Sequence, residues 1–405
     1  FLSLVVSLTL SLTVHASGFT GKIASEDGSP IVGAMVTFRF GAPFQERTVF
    51  SDEGGQYSVS GLPGGNDFLV RVRRIGWQDI RSPQSSGAEI EALDFTMSKL
   101  TDPALVAAQL PANHWYGLVL EQMDNEYERE QLVRQCTYCH QQGNAATRVQ
   151  RSPEEWQKVL SLMARMGGGL DEDFRAKIPD LFNKAYDPET AIPKLTKGFD
   201  QPGFAPPPEA EVRRAVIDEY QLGGRSSMQH DMIMHPNGYA YSVDMTTDTL
   251  FRLDPSVPGG AREIYPIPNG GNPLGGELAS GALPSNTDMR VGPHSLQVGP
   301  DGDVWITLAV GNQLARFDID EHSFVIEDLP GGIYPHTLRV DDRGRIWYTI
   351  AVSNHVGVFD PESGQHDVIR VPARSFGEEL MLRAIPIVMW LSQKLDLEPT
   401  GGGGE

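Results

Sequence analysis

His230-Asp-Met-Ile-Met-His-Pro-Asn-Gly-Tyr-Ala-Tyr, His294-Ser-Leu-Gln-Val-Gly-Pro-Asp-Gly-Asp-Val-Trp and His336-Thr-Leu-Arg-Val-Asp-Asp-Arg-Gly-Arg-Ile-Trp align without a gap. Each His stands eight residues before a Gly (Gly238, Gly302, Gly344) and 24 before an Asp (Asp254, Asp318, Asp360). Recurrence at fixed spacing marks a repeat architecture, in which each unit buries its apolar face only against its neighbours. Inside each unit the apolar residues alternate and the Gly falls where a turn is needed, the pattern of antiparallel hairpins. His294 and His336 are 42 residues apart, the length of a four-stranded propeller blade. His230 and His294 are 64 apart, which places an insertion of 22 residues around Asn272 to Met289. About three blades fit before residue 372, fewer than a closed ring needs. The segment 213–405 is therefore read as an incomplete propeller whose remaining blades are expected beyond its C-terminal end.

Upstream, a linker rich in Pro and Gly (191–212) separates the repeats from a helical zone. Glu126 to Arg134 carries Glu, Gln, Arg and Leu and runs straight into Cys136-Thr-Tyr-Cys139-His140. Ser152-Pro-Glu-Glu then opens another helix with a capping hydroxyl, Pro in the first turn and acids beside it. Trp156, Val159, Leu160 and Met163 continue that helix at apolar spacing, and a third is expected around Asp171 to Tyr186. Cys-x-x-Cys-His is the c-type haem attachment pattern. Two thiols about one helical turn apart can add across the two vinyl groups of the porphyrin, and the adjoining imidazole then meets the iron. A structural zinc site would need four N or S ligands, and the chain has only two cysteines. A thioredoxin-like pair would need a βαβ setting, whereas a helix precedes this motif.

Residues 18–99 show short alternating runs (Met35–Phe40, Tyr57–Val59, Phe68–Val72, Leu93–Met97) broken by Gly, Pro and Asp, as in a small β-sandwich. Before them, Leu2 to Val14 is apolar and leads into Val14-His-Ala16. A short apolar run with a small-residue ending reads as a secretory signal over 1–16 that lacks its basic start, and it is too short to span a bilayer. Export to the periplasm or the extracellular space is expected, with no transmembrane segment apart from the signal. The net charge of −20 excludes a nucleic-acid binder, which needs clustered Lys and Arg, and suits steering toward a basic partner.

Three resemblances extend these readings. Gly28-Ser-Pro-Ile-Val-Gly-Ala-Met-Val, Asp52-Glu-Gly-Gly-Gln-Tyr and Gly61-Leu-Pro-Gly-Gly resemble the carboxypeptidase regulatory-like domain. That resemblance implies a transthyretin-like sandwich of structural or adhesive role, sometimes grouped with carbohydrate-binding folds. Residues 112–190 resemble a small single-haem cytochrome c domain. This implies haem c held covalently by Cys136 and Cys139, His140 as proximal ligand, and a distal Met, for which Met163 and Met166 are the candidates. Gly299-Pro-Asp-Gly-Asp-Val-Trp-Ile-Thr and Asp342-Arg-Gly-Arg-Ile-Trp-Tyr-Thr resemble the virginiamycin B lyases. Those streptogramin lyases are propellers that open a cyclic depsipeptide ester by magnesium-assisted elimination, using His and Glu. Where that family reads Trp-Phe-Thr-Glu, this chain has Leu308 and Ile350, with only Asp244 acidic in the first unit. A lyase would then lack its base and metal ligand.

The expected fold is thus multidomain: a transthyretin-like β-sandwich, a small all-α cytochrome c domain and a partial β-propeller. His230, His294 and His336, with Asp244, are the candidate channel site. Equivalent imidazoles could ring the axis for a metal or anion, or could instead hydrogen-bond between blades. His235 and His355 do not recur and receive no role. The functional expectation is electron transfer between the haem and a redox partner protein or small carrier, with the propeller binding a small-molecule substrate or a partner. A streptogramin lyase-like C–O lyase with an accessory cytochrome, and a non-catalytic carbohydrate- or ligand-binding protein with a sensor haem, are the alternatives.

Overall fold

The computed structural model describes residues 16–85, 90–137, 140–165, 169–201, 203–257, 260–276, 289–373, 375–377, 379–384 and 387. The expected signal (but for Ala16), Cys139, Met166 and most of the insertion between the first two repeats lie outside the described residues.

The first unit has eight strands: β1 (Ala16–Ser25), β2 (Met35–Phe40), β3 (Gln45–Phe50), β4 (Gln56–Pro63), β5 (Asp67–Arg73), β6 (Ile80–Ser85), β7 (Ile90–Ala92) and β8 (Phe95–Met97). Period-two alternation sends Val36, Phe38 and Phe40 of β2 and Phe68, Val70 and Val72 of β5 into one core. One sheet runs β4-β1-β7, with β8 also on β1; the other runs β6-β5-β2-β3. Between them Phe38 stacks on Phe19 at 5.2 Å, and Phe68 meets Phe19 edge-on at 5.9 Å.

Six helices follow: α1 (Pro103–Gln109), α2 (Ala112–Leu120), α3 (Glu126–Cys136), α4 (Pro153–Arg165), α5 (Glu172–Ala185) and α6 (Pro188–Leu195). Asn125 caps α3, accepting from the Tyr127 amide at 2.9 Å. At α4 the expected cap is a reciprocal box: the Ser152 amide donates to Glu155 Oε2 at 2.8 Å, and the Glu155 amide to Ser152 Oγ at 3.2 Å. Trp115, Leu132, Trp156, Phe174, Ile178 and Phe182 share one buried cluster. The helix α6 crosses the start of the expected linker. Asp187 caps it through the Glu189 amide; Pro188 opens the first turn, where its missing N–H is no loss, and Pro193 lies inside the helix.

The next strand, β9 (Ile217–Tyr220), lies in the segment the sequence assigns to the propeller, yet it pairs antiparallel with β3 as the fifth strand of the N-terminal sheet. Arg47 grips it, with Nε and Nη2 on the two oxygens of Asp218 at 2.7 and 2.8 Å. The Gln221 amide donates to the Phe44 carbonyl at 3.0 Å.

Beyond β9 the repeats form three four-stranded antiparallel sheets in simple sequence order. They are β10 (Gln229–Met234) to β13 (Ala261–Pro266) through β11 (Ala240–Asp244) and β12 (Thr249–Asp254); β14 (Pro293–Val298) to β17 (Ser323–Asp328) through β15 (Val304–Leu308) and β16 (Gln313–Asp318); and β18 (Pro335–Val340) to β21 (Gln365–Arg370) through β19 (Ile346–Ile350) and β20 (His355–Asp360). The three aspartates of the repeat end β12, β16 and β20, and the turn glycines have φ of 90, 87 and 77°, a region open to Gly at no steric cost. Inner strands β10, β14 and β18 lie side by side, and the sheets bury apolar faces against one another. This is the blade arrangement that the repeat predicts.

Candidate functional site

Two places carry chemistry. The first is the end of α3. Cys136 is its last residue, half-buried against the hydrophobic cluster of the helical unit. Burial pushes its thiol up to about 11, so it stays protonated at neutral pH and is no thiolate nucleophile. His140 is exposed, with Nδ1 3.4 Å from the Gln141 carbonyl and 3.4 Å from the Gln142 amide nitrogen. Gln142 also donates to the Cys136 carbonyl at 2.9 Å, which ties the motif to the helix end. Gly143 (φ 81°) lies so close to α2 that a Cβ would stand 2.1 Å from the Ala112 carbonyl oxygen, so no other residue fits the turn leaving the motif.

Around this helix end two buried hydroxyls, those of Tyr116 and Tyr186, have no hydrogen-bond partner among the described residues. Burial raises both well above the usual phenol range, and Cys136 adds to the shift at Tyr116. A buried hydroxyl without a partner costs about 1–3 kcal/mol, so a pair of them marks a place where an acceptor belongs. Arg148 stacks over Trp115 at 4.5 Å, and Trp115 meets Tyr186 edge-on at 6.2 Å. Two phenols, a cation and a covalent anchor suit a large planar group carrying acidic substituents, and to that extent the residues fit a haem. Met163 is half-buried on α4.

The second place is the inner edge of the blades. His230, His294 and His336 come together there, with ring centroids 3.7 Å apart from the first to the second and 3.9 Å from the second to the third. His230 is exposed, His294 is buried, and His336 is intermediate. The His230 Nδ1 lies 2.8 Å from the His294 carbonyl, and Thr307 donates to the His336 carbonyl at 2.6 Å. Blade is therefore joined to blade at the repeated position. Burial, and then the neighbouring imidazoles, push His294 down to about 2 and lower His336. The Nδ1 of His294 is buried without a hydrogen-bond partner among the described residues. The rings overlap as a tilted column, and among the described residues no group of three or more His, Cys, Asp or Glu is placed to hold a metal ion.

Asp244 is wholly buried and serves its own blade. It accepts from the amides of Met228 and Thr246, from the hydroxyls of Ser227 and Thr246, and from the Gln229 side chain. Leu308 and Ile350, where the lyases carry Glu, are fully buried in the core. Two structural residues escape the repeat reading. His235 accepts from the Asn237 amide at Nδ1 and donates from Nε2 to the Gly302 carbonyl at 2.7 Å, latching one blade's turn to the next. Asp248 accepts from the amides of Arg290, Val291 and Gly292 at 2.6, 3.1 and 2.8 Å, and so fixes the entry to the second blade. Its left-handed φ of 49° matches Asn312 and Asn354 at 52 and 57°; aligning these three positions was the available signal.

No family model matches the chain, and no curated protein matches it. Among solved structures it is similar to a catalytically inactive His-to-Ala variant of virginiamycin B lyase from Staphylococcus aureus, solved with quinupristin. The identity is 20% and the TM-score 0.32, over 40% of this chain and 46% of that one. It is also similar to hydrazine synthase of Kuenenia stuttgartiensis, with 13% identity and a TM-score of 0.27, over 37% of this chain and 38% of that one. The chain spans about half the length of the virginiamycin B lyase it matches. The strand pairing above, not these likenesses, defines the blades. No helix among the described residues is long and apolar enough to cross a membrane.

Proposed function

We propose that the chain is an exported c-type haem protein that passes single electrons to a partner, with the propeller holding a substrate or that partner. The observations that carry this reading are the sequence Cys136-Thr-Tyr-Cys139-His140, which starts at the last residue of α3, and two buried phenols near Cys136 that have no hydrogen-bond partner among the described residues. Cys136 and Cys139 would hold the haem as thioethers, and His140 with Met163 or Met166 would supply the ligands to its iron. A haem bound there would supply reversible one-electron chemistry. Tyr116 and Tyr186 would donate hydrogen bonds to its acidic substituents, and Trp115, Trp156 and Phe182 would keep water from its edge.

The visible spectrum of protein matured in an oxidising compartment with haem supplied tests this reading. Reduction is expected to give a c-type α-band that survives acid–acetone extraction, and Cys136→Ser with Cys139→Ser is expected to abolish the covalent haem. A wild-type protein without that band sinks the proposal. A midpoint potential that shifts with added ligand while no electrons are delivered would favour the sensor alternative.

A further inference from the structure

Gly292-Pro293-His294 leads into the second blade and Tyr334-Pro335-His336 into the third, at equivalent positions of the repeat. The first residue of each is left-handed, Gly292 with φ 59° and Tyr334 with φ 72°. Glycine takes that conformation at no steric cost, whereas a bulky side chain is strained in it. Strain of this kind persists at ligand sites, where the surrounding structure holds the residue in place.

The Tyr334 ring lies against two sets of soft donors. It meets the His294 ring edge-on, with centroids 5.9 Å apart, and lies 6.1 Å from the His336 ring. It also packs against a small buried cluster of Met245, Met289 and Val310. The two methionines are 6 and 3% exposed. Met289 folds back onto the entry to its own blade, since a Cβ on Gly292 would stand 2.9 Å from its sulphur, two residues before His294. His294 is 5% exposed, and its Nδ1 is the buried nitrogen without a hydrogen-bond partner described above. One aromatic ring thus joins an orphaned imidazole nitrogen to two buried thioethers.

The donors select the ligand. Of the nearby carboxylates, Asp248 accepts from the amides of Arg290, Val291 and Gly292, and Asp231 accepts from the Ser295 hydroxyl and the Leu296 amide. A hard cation, which needs oxygen ligands, is poorly served there. Thioether and imidazole instead suit a soft cation, and thioethers select copper(I). An aromatic ring beside the ion adds to its attraction, and a net charge of −20 draws cations toward the chain. We propose that Met245, Met289 and His294 bind one copper(I) ion where the entries to the second and third blades meet, with the strained Tyr334 ring beside it.

The test uses the full chain carrying Cys136→Ser and Cys139→Ser, because two free thiols would take copper(I) themselves. Oxygen-free titration with copper(I) against a coloured copper(I) chelator is expected to show one ion bound per chain. X-ray absorption at the copper edge is expected to find both sulphur and nitrogen neighbours, and with the cysteines replaced the sulphur is methionine. Met245→Leu, Met289→Leu and His294→Gln are each expected to weaken binding by roughly tenfold or more, as is Tyr334→Gly, which accepts the left-handed backbone. Leucine nearly matches methionine in volume, so the two Leu variants keep the fold, which their urea midpoints check. No equimolar complex, copper held by nitrogen alone, or affinity indifferent to all four substitutions would each overturn the proposal. None of these results bears on the haem reading, since the haem cysteines are replaced throughout.

Discussion

His294 ties the stability of the propeller to protons. Its imidazole is held neutral by burial and by His230 and His336 beside it, with a folded pKa of about 2 against an ordinary 6.5. The unfolded chain therefore takes up the proton first. The contribution is intact above about pH 6.5 and is lost as the pH falls below it, by up to tenfold in the folded-to-unfolded ratio per pH unit. Urea midpoints from pH 8 to 5 should fall steeply for wild type and less steeply for His294→Gln; parallel profiles would refute this. The three histidines were legible because repetition put them in register. His235 was invisible to the same logic, since only one blade uses it and a lone His beside a turn has no period. Asp244 is an acid at a repeat position and reads as chemistry in the sequence; in the fold its carboxylate accepts from five donors of its own blade, which no spacing shows.

At the scale of elements, α3 and α4 were readable from their start signals, whereas α6 was not, although Asp187 and Pro188 mark its start. Asn125 and Ser152 mark the starts of α3 and α4, where side-chain oxygens satisfy amides that a helix cannot. Ser152→Ala should cost about 1 kcal/mol, the usual loss on removing an N-cap oxygen, and chemical denaturation followed by helical circular dichroism measures it. A cost near zero would mean that Pro153 and the first-turn acids start α4 unaided. The helix α6 was hidden because Pro188 and Pro193 gave its segment the composition of a linker. Strands β3 and β9 were hidden because Gln45-Glu-Arg-Thr and Ile217-Asp-Glu-Tyr hold little apolar alternation: β9 is an edge strand, held by its ladder and by Arg47 more than by burial. The blades were legible throughout, since a turn glycine and a terminal aspartate punctuate each one.

For the whole molecule, the decisive contact is the return of β9 to β3, which joins residues far apart in sequence and which no local pattern signals. The bidentate Arg47–Asp218 pair is only 21 and 27% exposed in its side chains, so a double-mutant cycle with Arg47→Ala and Asp218→Ala should give a coupling of about 1 kcal/mol, the upper end for pairs open to solvent. A coupling of zero would leave the main-chain ladder as the whole attachment. Arg74 adds a second tie, donating from Nε to the Val32 carbonyl at 3.0 Å and from Nη2 to the Ala205 carbonyl at 2.5 Å. The ladder also sets an order of events during synthesis. The N-terminal sheet gains its last strand only after residue 220 has emerged from the ribosome, so the helices between β8 and β9 are made while their downstream end is still loose. Cys136 and the helices around it therefore lie in a loop that stays open at one end until β9 clasps β3.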